Sequence, residues 1–299
     1  MVESEDDLAA WVELRNRLDP EFPTTVEEQL GYDRWLSERE RFLAGDAGYA
    51  IVTVEPARRG LGVAHSGFGV LPDRRRHGVG SALYRAVSRW TRAHGLDGLE
   101  VWVSDTAPEG REFAERHAFV EIVREERVAL DLAAAEPPHV PPPPGIEIVT
   151  WADHLFLAHG LYQVSRECYP DIPGSEDDEP EPFADWLGND MQGPNDRPEA
   201  TFVAVERSEV VAYAKLHFPA VDTGDLMHDL TGVRRAWRGR GIARALKAHQ
   251  IAWAKEAGYR RLVTNNEVRN EPIRRLNAEF GYVPVPGRAR LRGPLAPEG

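Results

Sequence analysis

Cysteine is almost missing from this chain of 299 residues, where Cys168 stands alone. That excludes an internal disulfide framework and fits a reducing cytoplasm. No Cys-centred motif surrounds Cys168, so nothing marks it as a nucleophile. No apolar run approaches the roughly 20 residues that cross a bilayer. The start, MVESEDDLAA, is acidic and lacks an apolar segment, which speaks against a secretory signal. Positive charge is scarce too: 36 Lys and Arg face 49 Asp and Glu, a net charge of −13. Binding to nucleic acid relies on Lys and Arg neutralising phosphates, so this balance argues against it. The same balance fits a soluble enzyme and weakly favours a cationic substrate. The His and acidic residues show no metal-ligand spacing, and no metal is implied.

What the chain does contain is a repeat. Residues 70–83 read VLPDRRRHGVGSAL and residues 233–246 read VRRAWRGRGIARAL. An offset of 163 carries Val70 to Val233, Arg75 to Arg238, Gly78 to Gly241 and Leu83 to Leu246. Without a gap it also carries Trp90 to Trp253, Gly95 to Gly258 and Phe119 to Tyr282. Two copies of one unit are therefore expected. Between them lies EPPHVPPPPG, residues 136–145. Proline fixes φ and removes donors, so the run reads as a stiff connector. The expected division is 1–135, a linker at 136–145, and 146–299.

In the second copy the pattern predicts a strand at 146–150 and a helix capped by Asp153 and ending near Cys168. A helix is expected near 183–189, and a hairpin from strands 201–205 and 210–218. A strand at 225–233, an amphipathic helix at 242–257, a strand at 261–264 and a helix at 271–280 follow. Tyr282 onward is expected to close this copy. The tryptophans at 90 and 253 read as core. The first copy is abbreviated: it lacks a counterpart of strand 146–150 and of the acidic stretch near 170–199, and its strand 61–70 carries three glycines, which weaken it.

Each copy sets a strand end, an Arg/Gly loop and a helix start in succession. Glycines at 239 and 241 leave no Cβ between backbone and ligand. Amides at a helix N-terminus then favour a phosphate or diphosphate, and Arg238 and Arg240 add charge. A lone loop of this kind could be a turn with its arginines in water; its recurrence argues for an anion site. The P-loop GxxxxGK[ST] is absent, and the loop lacks the third glycine of a dinucleotide fingerprint.

These residues resemble the GNAT superfamily of N-acetyltransferases, whose signature is Arg/Gln-x-x-Gly-x-Gly/Ala after an aliphatic strand end. Arg238-Gly239-Arg240-Gly241-Ile242-Ala243 matches it, as does Arg75-Arg76-His77-Gly78-Val79-Gly80. The later segment TNNEVRNEPIRRLNAEFGY, residues 264–282, is similar to the family's Asn-containing strand end, helix and Gly-aromatic. Pairs of such domains in one chain occur in the family. The resemblance implies an α/β (α+β) fold of two tandem domains, each a mixed, largely antiparallel sheet flanked by helices and splayed at an acetyl-CoA site. It implies acetyl-CoA as co-substrate, with its diphosphate held near Arg240–Ala243 and its pantetheine arm paired with main chain near Val233. Asn270 falls where the family's asparagine contacts coenzyme A. Seven residues on, many members carry a tyrosine acid; here stands Asn277.

A base is expected on the strand before the loop, on the face of its aliphatic end. Counting by twos from Val233 reaches Asp229; a bulge would bring His228 there instead. The offset turns Asp229 into Ser66, Asp225 into Gly62, Asn270 into Ala107 and Asn277 into Ala114, while His228 persists as His65. The second copy is thus expected to be the catalyst, and the first to keep only its loop. Glu176–Glu181, EDDEPE, reads as a solvated acidic loop or as carboxylates that attract a cationic amine. Tyr162, Tyr169, Phe183 and Trp186 either line the acceptor cleft or pack the helices. The implied activity is acetyl transfer from acetyl-CoA to a small-molecule primary amine by direct attack. A non-catalytic acyl-CoA sensor and a protein N-acetyltransferase are the alternatives.

Overall fold

The computed structural model describes residues 1–34, 36, 38–136 and 139–298. Two units emerge: Met1–Arg124 with Arg288–Gly299, and Glu125–Gly287.

Unit 1 opens with α1 (Glu5–Leu18) and α2 (Val26–Asp33), capped by Ser4 and Thr25, whose side chains accept the amides of Asp7 and Glu28. β1 (Arg39–Leu43), β2 (Gly48–Thr53) and β3 (Val63–Val70) form an antiparallel meander. α3 (Val79–Ala93) then crosses over to β4 (Gly98–Ser104), which runs parallel to β3. α3 buries Leu83, Tyr84 and Val87 at helical spacing against Ala50, Val52 and Ala64 of the sheet. α4 (Pro108–Arg116) and β5 (Val120–Asp131) follow.

Unit 2 contains β6 (Ile146–Thr150), α5 (Ala158–Cys168) and α6 (Phe183–Trp186), which runs on as a π-turn over Leu187–Met191. β7 (Asp196–Glu206), β8 (Glu209–His217) and β9 (Asp225–Val233) pair antiparallel with one another, and β6 pairs with β7. α7 (Ile242–Glu256) leads to β10 (Arg261–Glu267), which is parallel to β9; α8 (Glu271–Glu279) and β11 (Val283–Pro294) end the chain. Strand alternation sorts the core: Val203 and Val205 pack with Leu161 and Val164 of α5, whereas Phe202 and Ala204 pack with Ile242 and Leu246 of α7. The two helices thus cover opposite faces.

The closing strands differ from expectation. Arg288–Pro294 of β11 pairs antiparallel with β4 of unit 1, and Glu125–Asp131 of β5 pairs antiparallel with β10 of unit 2. Ala289 and Leu291 enter the core of unit 1, and Arg292 and Arg58 bond to Glu100, which is 2% exposed. Leu130 and Leu132 enter the core of unit 2. The division therefore falls at 124/125 and 287/288, not at the proline run. A proline run reports where the chain cannot pair, but not which sheet the neighbouring strands join. Within that run Pro137 and Pro138 lie outside the described residues, and residues 139–143 have no regular structure.

Two local expectations also change. Asp153 is no helix cap: its carboxylate accepts from the Thr150 hydroxyl, and a 3-10 turn at Leu155–Leu157 precedes α5. The helix expected at 183–189 is one α-turn that widens into the π-turn.

Candidate active site

The loop after β9 is a 3-10 turn at Arg235–Trp237, an extended Arg238, and two left-handed glycines, Gly239 at φ +75° and Gly241 at φ +83°. Unit 1 repeats it closely: the turn is Pro72–Arg74 and Gly78 has φ +82°. Its counterpart of Gly239 is Arg76, which adopts φ +64° despite its Cβ. A Cβ on Gly239 or Gly241 would meet no atom within 4 Å, so the space before them is open. No side chain caps α7, so its first-turn amides face that space without an internal acceptor.

The loop arginines brace rather than project. Arg238 donates through Nε to the Val233 carbonyl at 2.9 Å and pairs with Asp171 at 2.6 Å. Hydrogen bonds from Arg235 and Arg238 hold the Asp171 carboxyl down at about 2. Arg240 bonds to the Ala236 carbonyl and lies over the Trp237 ring, 4.5 Å from its centroid. In unit 1, Arg75 donates likewise to the Val70 carbonyl at 3.1 Å, while His77 turns back to the Arg75 carbonyl. Arginine at this position fixes the loop so that its main chain points outward. Cys168, buried behind the loop, donates to the Val233 carbonyl; burial pushes its thiol up, leaving it no nucleophile.

The strands part beside this loop. β9 and β10 pair only from Asp225↔Arg261 to Met227↔Val263, so residues 228–233 and 264–267 diverge. At the parting β9 carries a bulge. Thr231 faces Ala214 and His228 faces Leu216, so Asp229 and Leu230 together oppose Lys215. The bulge breaks the count by twos. His228 turns towards α7, where Val233 also packs, while Leu230 and Gly232 meet α5. Asp229 leaves that α7 face and joins a polar cluster that patterning did not reveal.

Lys215, 4% exposed at its side chain, lies 2.7 Å from Asp229 and 2.9 Å from Asp196, and also donates to the Asp190 carbonyl. Burial alone would lower its ammonium, but the carboxylates outweigh that and raise it. Partial desolvation pushes up the carboxyl of Asp229, whose side chain is 38% exposed, yet the Lys215 charge prevails and holds it below the carboxylate range. Asp190, on the π-turn, accepts from the Tyr169 hydroxyl at 3.2 Å. Burial, reinforced by the charge of Asp229, raises its carboxyl to about 7. Asp196, His217 and Asp229 could crowd a cation, but the Lys215 ammonium already bridges the two carboxylates. Asp190 sits beyond the acidic run in no motif, and a π-turn has no sequence pattern to announce it. Glu176 of that run folds back onto the Gly174 amide and Arg269. Tyr162, Phe183 and Trp186 pack together between α5 and α6.

The α7 side is polar in a different way. His228 bonds to Gln250 Oε1 at 3.0 Å and to the Tyr282 hydroxyl at 2.6 Å. Burial, with the Lys247 charge, drives its imidazole well below the usual range, so it stays neutral. Asn270 begins α8 without capping it through its side chain.

Unit 1 differs at its own parting, where β3 and β4 pair only up to Ser66↔Val101. Phe68 and Phe113 meet edge to face at 5.5 Å, and Phe113 covers the first turn of α3: a Cβ on Gly80 would lie 3.3 Å from its ring. β3 has no bulge against β2, and Ser66 spends its hydroxyl on the Ile51 carbonyl.

The sequence profile of the acetyltransferase (GNAT) family matches residues 3–119 and 158–282. Among solved structures, a GCN5-related N-acetyltransferase from Sphaerobacter thermophilus aligns at TM-score 0.70 and 20% identity, covering 100% of this chain and 96% of its own. A tandem GNAT protein from the clavulanic acid biosynthesis pathway aligns at 0.74 and 19%, covering 100% and 98%. A GNAT-family acetyltransferase from Colwellia psychrerythraea aligns at 0.62 and 13%, covering 98% of each. No curated protein matches.

Proposed function

The chain belongs to the acetyltransferase (GNAT) family, and from that premise we propose that unit 2 transfers an acetyl group from acetyl-CoA to the primary amine of a small molecule by direct attack. The observation that carries this reading is the parting of β9 from β10 beside an uncapped helix N-terminus, with carboxylates at its head. Open amides and space in front of Gly239 and Gly241 suit a diphosphate. Amides of Arg240, Gly241, Ile242 and Ala243 hold that group, Asn270 contacts coenzyme A, and the unpaired edge of β9 up to Val233 flanks the pantetheine arm. When bound, acetyl-CoA supplies the acetyl group as an activated thioester.

Asp190 takes the proton of the attacking amine. Its carboxyl, near 7, combines a useful ionised fraction with real basicity. Asp229, named from sequence as the base, is held ionised by Lys215 and is too weak a base for that role; it orients the amine and adds negative charge. Together the two aspartates favour a cationic acceptor. In unit 1, Arg75, His77, Gly78, Val79 and Gly80 preserve the loop, but the Phe68–Phe113 pair fills the parting, so this unit is non-catalytic.

Thiol release from acetyl-CoA across a panel of cationic and neutral primary amines tests the proposal. Turnover is expected with a cationic amine, and Asp190→Asn should lower kcat by about 10²–10⁴ without weakening cofactor binding. Binding without turnover for every amine would instead identify a non-catalytic acyl-CoA sensor, and an unchanged rate in Asp190→Asn would remove it as the base.

A further inference from the structure

Five apolar positions of one continuous buried patch in unit 1 become polar in unit 2, and a sixth, a tyrosine, becomes lysine. The patch is Tyr84, Val87, Val101, Val103, Ala114 and Phe119. The offset of 163 turns these into Lys247, Gln250, Thr264, Asn266, Asn277 and Tyr282. All six remain buried, with Lys247 and Asn277 each 1% exposed. Yet Gln250 Nε2, Asn266 Nδ2 and both polar atoms of the Asn277 amide have no partner. Buried polar groups are rarely left so, because each unsatisfied one costs free energy. In unit 1 the same positions are apolar apart from the Tyr84 hydroxyl, which donates to the Pro294 carbonyl, so folding does not explain the change.

Location suggests what does. Lys247 Nζ lies 4.9 Å from the Tyr282 ring centroid, and the Tyr282 hydroxyl bonds to His228. His228 is the first β9 residue beyond the last β9–β10 pair. Through Tyr282 and His228 the patch therefore reaches the head of the parting from beneath, on the face opposite Lys215 and Asp190. Asn277 stands in α8 with no proton to give.

We infer that Lys247 is the proton donor to the coenzyme A sulfur as it leaves the acetyl group, an inference that rests on the cofactor reading of unit 2. The amine nitrogen forms its bond to the acetyl carbon and loses a proton to Asp190. The carbon–sulfur bond breaks with its electron pair on sulfur, and the Lys247 ammonium protonates that thiolate, leaving a neutral amine that regains a proton from water admitted when coenzyme A departs. Among the described residues, the titratable groups facing Lys247 are His228 of β9 and Tyr282 ahead of β11, and no carboxylate is among them. Burial alone lowers its ammonium to about 7, below an ordinary thiol near 8.5, so the transfer runs downhill.

Calorimetry at pH 7.5 with coenzyme A and with desulfo-coenzyme A, which lacks the sulfur, tests this without turnover. With its amine neutral at that pH, Lys247 accepts a hydrogen bond from the thiol that desulfo-coenzyme A lacks, so the wild type should prefer coenzyme A by about fivefold. Lys247→Met and Lys247→Leu should erase that preference while leaving desulfo-coenzyme A affinity unchanged. With an active amine, both variants should also lose the fall in kcat on the alkaline side. A preference that survives in both variants overturns the inference. If the wild type binds both compounds equally, the lysine role fails and the cofactor site stands; if it binds neither, the cofactor reading fails and takes the inference with it.

Discussion

Lys247 sits in the core of unit 2 without a carboxylate to pair with, and that position has a thermodynamic signature apart from chemistry. Its ammonium titrates near 7 when folded and near 10.5 when unfolded. A depressed lysine contributes fully above the unfolded value, and stability falls as pH drops from about 10.5 to 7, then levels off. Lys247→Met should therefore raise unfolding free energy by up to about 5 kcal/mol below pH 7 and by little at pH 10.5. Urea unfolding at those two pH values checks it; an equal effect at both would show that the ammonium is not desolvated. Asp190 carries the opposite sign for activity. It must lose its proton to act, so kcat should rise through about pH 7, and Asp190→Asn should abolish that limb. Of these residues the sequence exposed only Asp229, and by a count of twos that the bulge invalidates. Lys215 and Asp190 were hidden because a bulge and a π-turn, neither of which has a sequence signature, bring them together.

The Arg/Gly loop shows how far an element can be read before its surroundings are known. The left-handed glycine shared at the offset, Gly78 and Gly241, with a preceding strand and a following helix, was legible because left-handed φ favours glycine, whereas Arg76 takes the place of Gly239 at φ +64°. What the loop opens onto was not legible, since Phe68 and Phe113 are 45 residues apart and meet only in the fold. A charge test separates the two loops. Gly241→Glu forces a Cβ at φ +83° and sets a carboxylate where a diphosphate would lie, so acetyl-CoA binding should be lost. Gly78→Glu, at φ +82°, imposes the same backbone strain but should leave binding stoichiometry and rate nearly intact. Calorimetry on both variants decides; loss of binding in Gly78→Glu alone would exchange the roles of the two units.

For the molecule as a whole, the repeat announced two copies, and the chain indeed contains two GNAT regions. Where each sheet ends was beyond reach, because neighbours in sequence usually pair and this chain breaks that habit. β11 carries Ala289 and Leu291 into the core of unit 1 together with arginines for the buried Glu100. Deleting residues 288–299 should therefore destabilise unit 1, which lies at the other end of the sequence. Hydrogen exchange should then show protection lost first in β3 and β4, before β7 and β8. Uniform loss in both units would deny the strand this local role.

The same strand sets a timetable for the nascent polypeptide. Residues 1–124 leave the ribosome with the edge of β4 uncovered, and its partner at 288–294 arrives 164 residues later. At bacterial or eukaryotic elongation speeds that gap is about 10–30 s, during which a bare sheet margin must be shielded from aggregation. The half made first is completed last, so translation pauses in the second half of the message would fall hardest on the first.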